Sequence, residues 1–333
     1  MEETVGKIPE RAALAHMYAV MQTTTACDER FREEVRAGQL QAAFYPVRGL
    51  EGVCAALGAV IGPRDYLVST YRNLGDAIAK GVPLGAVVAE AAGRVTGVSK
   101  GKGGPMHLQD LAAGLMATTG IVGSGIPIAA GLALAAQLDD DGRVAAATFG
   151  DGATAIGAYH EAMNLAALWQ LPMVFVCQNN GWAEHTPLGE YVANPDLAGR
   201  AAAYGMTAIA VDGFDPIATW QVLDEAVTRA RSGGGPTFVE CRTYRLLGHV
   251  GLGDYSYMPE HELEAAMERD PAPNFRRWLI SQELATETEL EQIDHEAAAA
   301  VDAAFEFAMS SPPPGPEELH RDVFLDESML VVQ

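Results

Sequence analysis

The sequence predicts an α/β fold: a doubly wound, mainly parallel sheet flanked by helices, with a helical arm before it and a helical segment after it. Three observations carry that expectation. Short apolar runs alternate with helix-length segments through the middle of the chain. The stretch 143–180 reads strand, helix, strand, and two strands joined by a helix must pair in parallel. With 49% hydrophobic residues over 333 positions, the chain can bury one large α/β domain or two modest ones.

The elements follow in order. Arg11 to Val35 contains no Gly or Pro and is rich in Ala, Met, Glu and Arg, so it reads as a long helix. Its end, DERFREEVR, reads as a solvated face with i,i+4 ion pairs. Apolar turns run from Val53 to Ile61, then a mixed stretch from Asp65 to Lys80. Gly93 to Gly104, with Lys100 and Lys102, is a glycine-rich loop. Val144 to Phe149 is a strand closed by a glycine turn, and ATAIGAYHEAMNLAALW is a helix. LPMVFVCQNN is a second strand ended by two amides. Met206–Val211 and Thr237–Arg242 read as further strands on either side of a helix over Pro216–Arg231. From Pro259 the chain is helical and acidic until PPPGPEE at 312–318 breaks it. The expected organisation is an arm over 1–45, the α/β domain over 46–258 and a C-terminal segment and tail over 259–333.

Composition excludes several classes. The 22 basic against 44 acidic side chains give a net charge of −22, which argues against a nucleic-acid partner and an anionic membrane surface. Cys27, Cys54, Cys177 and Cys241 are widely spaced without a CxxC pair, so neither a zinc ribbon nor a disulfide framework is signalled. MEETVGKIPER lacks an apolar export core, and no apolar run approaches the length of a membrane span. A soluble, cytoplasmic protein is expected.

Ligands of open parallel sheets bind outside the carboxyl ends of the strands. The residues following the two strands of the strand–helix–strand unit are Gly150-Asp151-Gly152 and Asn179-Asn180, so Asp151 and Asn180 are expected as spatial neighbours despite standing 29 positions apart. A carboxylate plus an amide carbonyl is a donor set that Mg²⁺ accepts, completing its octahedron with phosphate oxygens. The glycines admit phosphates to backbone N–H groups at the start of the next helix. Either motif alone reads equally as a turn with a capping side chain; together, across one crossover, they point to a Mg²⁺–diphosphate site.

GDG followed by NN at this spacing resembles the thiamine-diphosphate motif. The wider sequence resembles the alpha subunit of the thiamine-dependent first component of 2-oxo acid dehydrogenase complexes, the pyruvate, branched-chain and acetoin type. The likeness runs over residues 10–310 and rests on YRNLGDAIAKG, GKGGPMH, GIVGSGIPIAAGLALA, FGDGATAIGAYHEAMNLAALWQLPMVFVCQNNGWA and YRLLGH, in the family's order. It implies the thiamine-diphosphate-binding fold. It also implies that Asp151, the Asn180 side chain and the Trp182 carbonyl hold Mg²⁺, with Gly150 in the same turn. Gly152 and Ala153 would offer N–H groups to the diphosphate, and Tyr71, Arg72, Arg245 and His249 would bind its oxygens. Gly120 and Val122 would meet the aminopyrimidine ring, and His249, the implied catalytic residue, would also face the thiazolium end. Taken singly, Arg72 and Arg245 read also as ion-pair residues, Tyr71 as a strand-edge aromatic and His249 as a turn cap. GIVGSGIP lacks GxGxxG spacing and no strand is predicted before it, which argues against a dinucleotide site. Met106 and His107 match the family's Met-His; the residues themselves favour a structural histidine.

The sequence departs from the family at two histidines. Tyr45 stands for one and Leu74 for the other, and both positions are expected in the active-site channel. Val250 stands where regulated members carry a phosphorylatable serine, and Glu184-His185 replaces small hydroxyl residues. No acid for the pyrimidine side is evident in this chain. In the family that glutamate comes from a beta subunit, so an α₂β₂ particle is implied, with a lipoyl-bearing acyltransferase as acceptor of the acyl group. The implied activity is decarboxylation of a 2-oxo acid, or cleavage of a related carbonyl compound. An acyloin-forming carboligase and a non-catalytic scaffold stand as alternatives.

Overall fold

Six short segments, four of them the apolar runs read as strands, form one sheet in the computed structural model, which describes residues 7–253 and 255–323. The long helix α1 (Arg11–Arg36) and α2 (Glu51–Gly58) lead to β1 (Tyr66–Thr70), followed by α3 (Leu74–Ala79) and α4 (Leu84–Ala91). Next come β2 (Leu115–Thr119), α5 (Gly125–Asp139), β3 (Ala145–Gly150), α6 (Gly157–Trp169) and β4 (Met173–Asn179). A hairpin of β5 (Trp182–Ala183) and β6 (Thr186–Pro187) leads through α7 (Leu188–Tyr191) and α8 (Leu197–Ala202) to β7 (Thr207–Asp212), α9 (Pro216–Arg231) and β8 (Thr237–Arg242). Helices α10 (Glu260–Glu268), α11 (Pro271–Ser281) and α12 (Glu287–Ser310) close the chain.

The sheet order is β2-β1-β3-β4-β8-β7, every pairing parallel. Both faces are covered, and the two-residue period sorts the core accordingly. Ala145, Ala147 and Phe149 of β3 and Met173, Phe175 and Cys177 of β4 join the core shared with α5 and α6. Ala146, Val174 and Val176 face the opposite core, shared with α1, α2, α4, α9 and α12. The N-terminal arm and the C-terminal helix thus lie in one core with the sheet, Phe31 of α1 packing edge-on against Phe305 of α12 at 5.0 Å.

Local chemistry explains the borders. Asp215 caps α9 with Pro216 in its first turn, and Thr286 and Glu289 form a reciprocal capping box on α12. Arg30–Glu34 and Arg32–Asp28 make the expected i,i+4 pairs. The solvated-face reading fails at Asp28, which is fully buried because its other oxygen accepts the Val47 N–H at 2.7 Å. A second correction concerns GIVGSGIP: β2 does precede it, an edge strand whose LMATT lacks a strong apolar alternation. The four cysteines are buried and free.

The chain runs from β1 outward to β2 and then back across β1 to β3. The order reverses between β1 and β3, and their carboxyl ends flank the crevice where such sheets take ligands.

Candidate active site

A cavity of about 450 Å³ opens at that reversal. Tyr71 and Arg72 enter it from the end of β1, Gly120 and Val122 from the turn after β2, and Gly150, Gly152 and Ala153 from the end of β3. Asn180 and Trp182 follow β4, while Arg245 and His249 come from the loop after β8. The backbone at this point requires glycine: Gly123 has φ +76°, and a Cβ there would lie 2.1 Å from Ile156 Cδ1.

Asp151 lies just under the wall, fully buried. The Asn180 N–H donates to its Oδ1 at 3.1 Å, and the Tyr191 hydroxyl donates to its Oδ2. Burial pushes the Asp151 carboxyl up, opposed by those donors. The Asn180 Oδ1 accepts from the Trp182 N–H at 3.2 Å, which leaves that oxygen a second lone pair. Residues distant in sequence are therefore neighbours here, and a carboxylate and an amide oxygen are donor types that a hard cation takes. One local expectation is corrected. Gly152 and Ala153 lie in a 3-10 turn over Asp151–Ala155, and the α-helix begins only at Gly157. Donors offered to an anion there belong to the turn, not to an α-helix N-terminus.

Arg72 and Arg245 are both buried, and neither has an ion-pair partner among the described residues. Arg245 donates through Nη2 to the Glu184 carbonyl at 2.7 Å and the Tyr257 hydroxyl at 3.1 Å, while its buried Nε has no partner. Arg72 donates to the Pro46 and His249 carbonyls. Burial and the neighbouring Arg245 pull the Arg72 guanidinium down to about 10. Two adjacent buried cations without a carboxylate, one with an orphaned N–H, fit an anion such as diphosphate. The donor set beside them fits the cation that a diphosphate carries.

His249 sits between these guanidiniums, with Arg245 Nη1 3.1 Å and Arg72 Nη2 3.4 Å from its Nδ1. Burial, Arg72, Arg245 and His185 hold its pKa down to about 3. Tyr45 lines the cavity as expected, its ring 4.5 Å from Tyr71 and 5.3 Å from His249. Leu74 does not line it, correcting the expectation for that position. It is buried behind Tyr45 and Tyr71 in a small void of about 20 Å³ shared with Phe31, Phe44, Val87 and Leu108. Met106 reaches the cavity, and the Met106 carbonyl accepts from the Thr118 hydroxyl.

Sequence reasoning missed three residues here. Tyr191 ends the short helix α7, which carries no sequence signal, yet it donates to Asp151. Tyr257 accepts from both Arg245 Nη2 and, at 3.0 Å, the His249 N–H, and packs edge-on against Trp182 at 5.2 Å. Glu51, fully buried, accepts from Arg48 Nε at 3.0 Å and the Gly49 N–H at 2.5 Å, bracing the turn beside Leu50 at the cavity floor. A lone Glu in GLEG carried only a weak hint of burial. Glu184 has φ +54°, which turns its carbonyl toward Arg245 and gives the Glu184-His185 departure its structural content.

At its reversal point the parallel sheet gathers one carboxylate, one amide and two buried guanidiniums without an ion-pair partner among the described residues, a set of the kind that suits a diphosphate and its divalent cation. The chain matches the family described as Dehydrogenase E1 component over residues 17–317, and it belongs to that family. It is 38% identical over 310 residues to the alpha subunit of acetoin:2,6-dichlorophenolindophenol oxidoreductase of Bacillus subtilis (strain 168), covering 93% of this chain and 92% of that one. The corresponding subunit of Cupriavidus necator is 35% identical over 317 residues, 95% of each chain. The pyruvate dehydrogenase E1 component subunit alpha of Porphyra purpurea is 36% identical over 296 residues, 87% of this chain and 86% of its own. The family is one of thiamine-diphosphate-dependent oxidoreductases with a divalent metal, and an alpha-type subunit implies a beta-type partner. The dehydrogenase-component reading is favoured over the carboligase and scaffold alternatives.

Proposed function

We propose that this chain forms the metal-and-diphosphate half of an α₂β₂ E1 component acting on a 2-oxo acid or a related ketone such as acetoin, with a lipoyl group as acceptor. The observation that carries the reading is the contact of Asp151 with Asn180 beside the unpaired guanidiniums of Arg72 and Arg245.

In this reading Asp151, the Asn180 side chain and the Trp182 carbonyl hold Mg²⁺. Arg72, Arg245, Tyr71, His249 and the N–H groups of Gly152 and Ala153 receive the diphosphate, with Gly150 completing the turn. Backbone groups of Gly120 and Val122 meet the aminopyrimidine. Thiamine diphosphate supplies, when bound, a nucleophilic carbon that attacks the substrate carbonyl. His249 lines the same cavity, with the rings of Tyr45 and Tyr71 beside it. The acid for the pyrimidine side comes from the partner subunit. A cytoplasmic setting accords with four buried free thiols and with the absence, among the described residues, of a helix long and apolar enough to cross a membrane.

The test is calorimetry on the assembly of this chain with a beta-type partner, followed by a screen of 2-oxo acids and acetoin with a dye acceptor. Mg²⁺-dependent binding of thiamine diphosphate is expected, with turnover by the assembly alone. Binding indifferent to metal, or full turnover by the isolated chain, would falsify the half-site reading.

A further inference from the structure

The hydrogen bonds around His249 decide which of its two nitrogens carries the proton. Arg245 Nη1 lies 3.1 Å and Arg72 Nη2 3.4 Å from Nδ1. A guanidinium has only donors, so Nδ1 must be an acceptor on both contacts. A neutral imidazole that accepts at Nδ1 carries its proton on Nε2.

We propose that His249 works as a fixed neutral imidazole protonated at Nε2 alone, a hydrogen-bond donor and not a proton acceptor. The clamp is anchored from several elements. Arg72 is held by the Pro46 and His249 carbonyls, and Arg245 by the Glu184 carbonyl and the Tyr257 hydroxyl. Tyr257 also accepts the His249 backbone N–H, so ring and guanidinium are referenced to one hydroxyl. The other titratable groups facing the ring are Tyr45, Tyr71 and His185, and none is a carboxylate that would draw a proton onto Nδ1. Burial first, and then the two cations at its lone pair, lower the pKa of the ring in the same sense.

The clamp does not compete with anion binding. Of the five N–H donors of Arg245, three are engaged, leaving the Nε–H and one Nη1–H. Arg72 likewise engages one Nη1–H and both Nη2–H groups, leaving two. Each guanidinium can therefore hold an anion while still donating to Nδ1. The Nε2–H is then available to a carbonyl or alkoxide oxygen, stabilising negative charge as it develops. Proton abstraction is left to other groups. This assignment rests on the proposed function for its catalytic meaning, but the tautomer itself does not depend on which cofactor binds.

Magic-angle-spinning ¹⁵N NMR on the assembly, with only this chain's histidines labelled, tests it. A His249→Asn variant identifies the resonance among the 8 histidines. The expected result is one protonated nitrogen, Nε2, unchanged from about pH 5.5 to 8.5, well above an unperturbed histidine's midpoint at the upper end and below it at the lower. The same pattern is expected after addition of Mg²⁺ and inorganic pyrophosphate. In Arg72→Gln the Nε2-protonated form is expected to persist at pH 8.5, held by the remaining Arg245 contact to Nδ1. A proton on Nδ1, in the unaltered chain or in Arg72→Gln, or an imidazolium near pH 6 in the unaltered chain would each overturn the proposal. Failure of the cofactor reading would show separately, as absent calorimetric binding of thiamine diphosphate with the tautomer intact.

Discussion

The Asn180 N–H donates to the Asp151 carboxylate across 3.1 Å, although the two residues stand 29 positions apart. The contact exists because β3 and β4 pair in parallel and in register, Gly150 opposite Gln178, so both chains leave the sheet at the same level. Asp151 and Asn180 are thereby brought side by side at the carboxyl ends of the two strands.

Asp151→Ala removes the anion of that donor set while Asn180 and the Trp182 carbonyl remain. Thiamine diphosphate affinity in the presence of Mg²⁺ should fall by roughly 100-fold or more, with little change in the fold. Calorimetry of the assembly checks this, and wild-type affinity would remove the metal site from Asp151.

Leu74→His should change stability and leave substrate choice alone. The side chain is buried behind Tyr45 and Tyr71, among Phe31, Phe44 and Leu108, where an imidazole would be surrounded mostly by apolar groups. A loss of about 1–3 kcal/mol is expected from denaturant titration. Altered relative rates among 2-oxo acids would show that position 74 reaches the substrate after all.

Burial lifts the Glu51 carboxyl from 4.5 to about 7, against the opposing pull of Arg48. A folded value above the unfolded one means the group's contribution is full below about pH 4.5 and is lost as pH rises through about 7. Acting alone it would remove on the order of 3 kcal/mol across that window. Glu51→Gln should therefore flatten the fall in Tm between those pH values. Asp28 and Asp76, also pushed up by burial, keep part of the slope in the variant. An unchanged slope would mean that Glu51 stays ionised in the fold.

Gly49→Ala should disturb the site from outside the cavity. Gly49 has φ +92°, and a Cβ there would lie 2.2 Å from the Tyr244 carbonyl oxygen, next to Arg245. Strain and clash together should cost roughly 2–4 kcal/mol. Because the displaced segment after β8 carries Arg245, pyrophosphate binding should weaken as well. A Tm and an affinity equal to those of the unaltered chain would contradict the packing at this turn.

Much of the fold was legible because period and punctuation were strong. The helix over Pro216–Arg231 begins at Asp215-Pro216, a cap and first-turn pair readable from the residues alone, and the strand over Thr237–Arg242 is bounded as read. The strand Leu115–Thr119 escaped notice because an edge strand buried unevenly shows neither alternation nor a continuous apolar run. At the site, motif spacing marked Asp151 and Asn180, and only the family resemblance pointed to Arg72, Arg245 and His249, whereas Tyr191 at the end of α7 and Tyr257 in the segment after β8 make contacts that no local pattern encodes.

What the sequence determined by itself is the class of sheet and the chemistry at its strand ends. Alternation, helix caps and the GDG…NN spacing are local properties that survive without knowledge of the rest of the chain. Only the tertiary structure decided that Leu74 lies behind the cavity while Tyr45 faces into it, and that Nδ1 of His249 meets two guanidiniums. Those outcomes depend on how the loops after β1 and β8 converge, and convergence is set by packing between segments 177 positions apart, as from Arg72 to His249. No residue in either segment announces the other.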